Sequence, residues 1–228
     1  MTPDSTVDPQ HLLLIGAGPG VGAAIARRFG REGFRATLIS RGDGLDEIAA
    51  SLRDEGMNVS QLASDVEDLE GYSATLRKLY EAPDAPGALV YNASMLVPDG
   101  ILTSTVEHLR EAHDIDVIGA VVSAQIAAPV LRAAGSGTIL FTGGGFADNP
   151  LPAFATISMG KAALRAAATL IAAEVGGDGV HAASVTIVGQ VAPGTAFDPN
   201  NIAELFWTAH SDGPDEWLVE YRFEPTQE

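Results

Sequence analysis

The chain has 228 residues, 46% hydrophobic and 19% charged, a globular composition long enough for one sizeable core and incompatible with bulk disorder. A formal charge of −17, from 13 Lys+Arg against 30 Asp+Glu, excludes a phosphate-tracking nucleic-acid binder and a protein that docks on anionic membrane. With no cysteine, disulfides, thiol nucleophiles and Cys-ligated metals are excluded as well.

No uninterrupted apolar run approaches the ~18 residues of a membrane span. The polar start lacks a cationic n-region, so no secretory signal is expected and the expected location is the cytoplasm. Residues 1–10 read as a flexible leader and 11–228 as a single domain. A short apolar strand over 11–15 runs into Gly16-Ala17-Gly18-Pro19-Gly20-Val21-Gly22. A helix over 23–32 follows, with Gly33 as its stop. Residues 35–40 read as a strand, 45–55 as a helix, 58–63 as a strand and 69–80 as a helix. A loop over 83–87 leads to a strand over 88–91. A long helical stretch spans 105–134. A strand over 138–142 is broken by Gly143-Gly144-Gly145, and a second long helix spans 152–175. A strand over 181–188, a short helix near 202–210 and a strand over 217–223 complete the chain.

Strands alternate with helices throughout, and several strands are continuous apolar runs. Such strands are buried on both faces, so the pattern predicts an α/β fold: a doubly wound parallel sheet, Rossmann-like, in three α/β/α layers. Within the two long helices, 117–131 and 162–173 have almost no polar face. A helix apolar all round needs cover on all sides, so a homo-oligomer through 105–134 and 152–175 is expected.

The glycines lie between a predicted strand and a predicted helix. Glycine there permits positive φ and close backbone approach, and the helix start offers free N–H groups to a pyrophosphate. Gly16, Gly20 and Gly22 fit the spacing G-x-x-x-G-x-G. Further along come Asp65-Val66 after the third strand, Tyr91-Asn92-Ala93-Ser94 after the fourth, the strand 136–142, and Lys161 early in an apolar helix. In this order the five features resemble the short-chain dehydrogenase/reductase family over roughly residues 11–195. The resemblance implies a nicotinamide cofactor held by Gly16, Gly18, Gly20, Val21 and Gly22, by Asp65 and Val66 beside the adenine, and by Asn92, Ala93 and Ser94. It implies that Lys161 grips the cofactor ribose. Ser40-Arg41 follows the second strand, where NAD-selective folds place a carboxylate. A guanidinium can pair with a 2′-phosphate instead, so NADP(H) is expected.

The proton-transfer half of the family pattern is altered. Four residues before Lys161, where the resemblance implies a Tyr, stands Ile157; seven before it, where a related group of reductases has theirs, stands Phe154. The family's Ser position falls on Gly144, with Thr142 the nearest hydroxyl, and its Asn position on Asp116. These departures imply hydride transfer to an already activated small-molecule acceptor, with the proton from water, Asp116, Tyr91 or the substrate. Asp116 and Lys161 are the candidate catalytic residues. Two other readings stand beside it: a degenerate, pseudoenzyme-like interaction subunit, and a non-redox dehydratase or cyclase using Asp116 and Lys161 as acid and base. The five histidines have no metal-ligand spacing. Ser158 stands three before Lys161, the Gly143–Gly145 run is a candidate oxyanion or phosphate cradle, and Phe206, Trp207 and Trp217 are candidate core or lid residues.

Overall fold

The computed structural model describes residues 6–42 and 44–225. The elements in chain order are β1 (Thr6–Ile15), α1 (Val21–Arg31), β2 (Arg35–Ser40), α2 (Leu45–Asp54), β3 (Val59–Ala63), α3 (Leu69–Tyr80) and β4 (Asp84–Tyr91). There follow α4 (Val106–His113), α5 (Gly119–Ala134), β5 (Gly137–Gly144), α6 (Ala155–Val175), β6 (Val180–Ile187), α7 (Pro199–Ser211) and β7 (Glu220–Phe223). All seven strands are parallel, in the order β3-β2-β1-β4-β5-β6-β7. The expected doubly wound Rossmann-like sheet is therefore present.

The pleat of β1 shows how one strand serves two cores. Leu12 and Leu14 face a core with Ile25 and Phe29 of α1, Leu52 of α2 and Phe206 of α7. Leu13 and Ile15 face the other, with Tyr72 of α3, Leu131 of α5 and Leu164 of α6. Side chains alternate across a strand, so a strand buried on both faces must be apolar at every position.

Several boundaries differ from the sequence reading. Residues 6–10 are not leader: β1 begins at Thr6 and pairs Thr6–Asp8 with Asp84–Pro86, then shifts register before Leu12. Arg35 holds this extension through Asp8 at 2.8 Å, a contact invisible to local pattern. The expected loop 83–87 accordingly belongs largely to β4. The leader's residues 1–5 lie outside the described residues. The glycine triplet does not break β5 at Thr142; Gly143 and Gly144 continue the pairing against Thr186 and Ile187. Helix α6 starts at Ala155 rather than 152, because Asp99 from the β4–α4 connection accepts hydrogen bonds from Ala155 N at 2.6 Å and Thr156 N at 3.2 Å.

α4 and α5 form one continuous helix, joined by a π-helical turn over Asp114–Ile118. Its 29 residues, Val106–Ala134, are long and apolar enough to cross a membrane by length and composition. Here it forms part of a layer of the fold, with Ala120, Ala124, Ala127 and Leu131 buried against the sheet core.

Candidate functional site

A cleft of about 530 Å³ opens at the carboxyl ends of β1 to β4, where ligands bind in open α/β sheets. Nine of the residues singled out from sequence line it: Gly16, Gly18, Ser40, Arg41, Asp65, Val66, Asn92, Ala93 and Ser94. Gly20, Val21 and Gly22 form the cap and first residues of α1, beside that lining. The lining also includes Ser64, Met95, Val97, Glu111 and Ile115, which sequence reasoning missed. Met95 and Val97 directly follow the Asn92–Ser94 turn and were within reach of the same argument; Glu111 and Ile115 arrive from α4 and the π turn.

The glycines differ in what they do. Gly16 has φ +80°, and a Cβ there would lie 2.3 Å from Ala93 N, so the β1 and β4 ends meet too closely for any side chain. Gly22 lets α1 pack onto the Gly16 carbonyl, since a Cβ at Gly22 would lie 3.0 Å from that oxygen. At Gly18 and Gly20 a Cβ would meet no protein atom within 4 Å. Their bare backbone faces open space at the start of α1, and a bound pyrophosphate fits that cradle.

Asn92 ties the cradle to the opposite end of the site. Its Nδ2 donates to Gly16 O at 2.9 Å, and its Oδ1 accepts from Thr142 Oγ1 at 2.8 Å. The Thr142 carbonyl in turn accepts from Lys161 Nζ at 2.7 Å. One chain of contacts thus runs from the glycine loop through β4 and β5 to α6. Burial holds the Lys161 ammonium below its usual range, with Asp116 acting in the opposite sense. Burial likewise raises Asp116, opposed by Lys161 and by the Met95 N–H that Oδ1 accepts at 2.8 Å. Asp116 Oδ2 is buried without a hydrogen-bond partner. It lies against Gly160, where an added Cβ would sit 2.8 Å from that oxygen. Among the described residues Asp116 and Lys161 form no ion pair; neither lies in the cleft lining proper.

The positions four and seven before Lys161 hold no proton donor. Ile157 is buried, and Phe154 packs its ring 5.9 Å from that of Phe146. Tyr91, a candidate donor, is excluded by its environment. Its hydroxyl donates to Ile115 O in the π turn at 2.5 Å, and burial raises its pKa well above the usual phenol value. In the Gly143–Gly145 run, Gly143 and Gly144 are paired with Thr186 and Ile187 of β6. Added side chains at Gly143 and Gly145 would meet Thr186 and Val188 of the neighbouring strand and its exit, and only Gly144 faces the stem of Lys161. Ser158 is spent on Phe154 O and Leu151 N. Phe206 is core, Trp207 packs between Phe29 and Phe34, and Trp217 stacks on His181 at 4.9 Å, so the tail aromatics form no lid. His11, His181 and His210 are each hydrogen-bonded within the fold. Arg41 is largely exposed and sits 3.4 Å from Glu67, whose N–H is held by Asp65.

A family model for the short chain dehydrogenases matches residues 10–197. A fatty acyl-CoA reductase of Mycobacterium tuberculosis is 27% identical over 203 residues, 83% of this chain and 67% of that protein. The chain spans between 51% and 74% of the length of the curated relatives it matches most clearly. A short-chain dehydrogenase structure from Rhodopseudomonas palustris superposes with a TM-score of 0.84 at 26% identity, covering 96% of this chain and 99% of that one. A metagenomic short-chain oxidoreductase solved in complex with NADP gives a TM-score of 0.86 at 22% identity, covering 97% and 99%, a likeness of fold.

Proposed function

Because the chain belongs to the short-chain dehydrogenase family, whose members use nicotinamide cofactors, we propose that it is an NADP(H)-dependent oxidoreductase with an altered proton-transfer site. The observation that carries this reading is the bare cradle at Gly18 and Gly20, joined through Asn92 and Thr142 to the buried Lys161. Gly18, Gly20 and the first N–H groups of α1 would hold the pyrophosphate, Asp65 and Val66 the adenine, and Lys161 the ribose. Arg41 would release Glu67 and take the 2′-phosphate, an exchange of one exposed pair for another that costs little. The cofactor supplies the hydride. The chain supplies orientation and a largely water-free Lys161 end, but neither Ile157 nor Gly144 can donate a proton. General acid catalysis typically contributes ~10²–10⁴-fold, so the acceptor has to be one activated in advance, such as a conjugated alkene or an iminium.

Calorimetric titration of the protein with NADPH, NADP⁺, NADH and NAD⁺ tests the reading. Micromolar affinity for the phosphorylated pair is expected. Arg41→Ala should weaken NADPH about tenfold or more and leave NADH unchanged, the loss of one charge-assisted contact. No binding of any nucleotide would overturn the proposal. A second reading, an interaction subunit, is favoured by the apolar outward faces of α5 and α6, and it would then take precedence. The non-redox reading lacks such support, since Asp116 and Lys161 form no ion pair.

A further inference from the structure

From the connections leaving β4, β5 and β6 we infer that the substrate is a neutral, extended apolar molecule rather than a carboxylate or a coenzyme A thioester. The inference rests on the proposed oxidoreductase reading for its reaction but on different residues for its evidence. Among the described residues eleven large apolar side chains are exposed. Five of them, Leu96, Ile101, Leu102, Leu151 and Val191, sit on these three connections. Val106 and Met159, at the starts of the helices that two of the connections enter, are two more. Exposed apolar residues scattered singly need no explanation, but a group gathered at the carboxyl edge of adjacent strands marks a binding rim.

The connections are contiguous. Asp99 bridges to Phe154, joining the first to the second, and a Cβ at Gly145 would lie 3.2 Å from Val188 Cα, joining the second to the third. The rim also continues the cleft, since Met95 and Val97 on the first connection line it.

Charge decides which apolar ligand. Residues 92–105, 145–154 and 188–198 contain no Lys, Arg or His and one Asp each. Every one of those carboxylates is spent inside the fold. Asp99 accepts from Ala155 N, Thr156 N and Oγ1, and His108. Asp148 is clamped by Arg165 at 2.7 Å and Arg222 at 2.9 Å. Asp198 caps α7 and accepts from Gly194 N. The three connections themselves therefore offer no cation to a carboxylate or phosphate, and Glu111 in the cleft wall repels one. A charge brought there would lose water without gaining a partner. The opposite end of the cleft, with exposed Arg41, is where an anion is served.

The test measures binding rather than turnover. The whole protein, free and saturated with NADP⁺, is titrated with 2-tridecanone, dodecanoate and dodecanoyl-CoA. The neutral ketone should bind roughly tenfold or more tightly than either anion. Leu151→Arg, at an exposed position, should narrow or reverse that preference while leaving NADP⁺ affinity as it was. Equal binding of the three, tighter binding of an anion, or no ketone binding would overturn the inference. Ketone binding in a protein that ignores every nucleotide would preserve it and remove the oxidoreductase reading instead.

Discussion

The residues of the cradle differ in what a substitution should do. Gly16→Ala places a methyl in left-handed backbone and against Ala93 N, and should destabilise the fold by more than the ~1–3 kcal/mol of the strained φ alone. Gly18→Val meets no protein atom within 4 Å of its Cβ. It should leave the melting curve nearly unchanged and abolish nucleotide binding, so a thermal scan and a titration on both variants separate structural from ligand-facing glycine. Thr142 is a positioning residue whose hydroxyl orients Asn92 and whose carbonyl holds Lys161. Thr142→Val should cost about 1 kcal/mol of stability and weaken nucleotide binding, and Thr142→Ser should restore both. A Val variant that binds as the parent does would remove Thr142 from the site. Gly16 and Gly18 were legible because spacing within one strand–turn segment marks them, and Asn92 because the turn after the fourth strand resembles that of the family. Thr142 was visible as the nearest hydroxyl, but its partner lies fifty residues away.

At the scale of elements, the long helix makes two of its inward contacts through an irregular turn. The π turn over Asp114–Ile118 brings the Ile115 carbonyl to the Tyr91 hydroxyl and buries Asp116 beside α6. Gly119 is required below it, since a Cβ there would lie 2.5 Å from Tyr91 Oη. Apolar periodicity over 105–134 shows a helix and cannot show one extra residue in a single turn, because the pattern shifts too little. Helix α7 docks on α1 through Phe206, Trp207 and His210. The His210 ring lies 5.1 Å from Phe29 and 5.2 Å from Phe34, and burial, with a smaller contribution from His181, lowers its pKa to about 4. A ring neutral in the fold and protonated more readily when unfolded stabilises above the unfolded pKa of about 6.5. That contribution, up to about 3 kcal/mol, is lost as pH falls from 6.5 to 4. Urea unfolding at pH 7 and pH 5 should show the loss, and His210→Gln should reduce it. A pH-independent midpoint in the parent protein would refute the assignment.

For the whole molecule, we propose a homo-oligomer through the outward faces of α5 and α6, where Leu170 is more than half exposed and Val122, Ile126 and Val130 are only partly buried. Light scattering should give a dimer or tetramer, and Leu170→Glu should lower the mass with the far-ultraviolet spectrum unchanged. A monomeric parent protein would refute it. Alternation of strand and helix, apolar runs and turn glycines are local properties, and from them the α/β layers and the glycine turn between β1 and α1 followed directly. Contacts between distant segments are not local. The Asp8–Arg35 pair that extends β1, the Asp99 carboxylate that starts α6, and the burial of Asp116 without an ion pair to Lys161 all join residues far apart in the chain. Their partners are chosen by how the layers pack, and packing is settled only when the whole sheet has closed on both its helical faces.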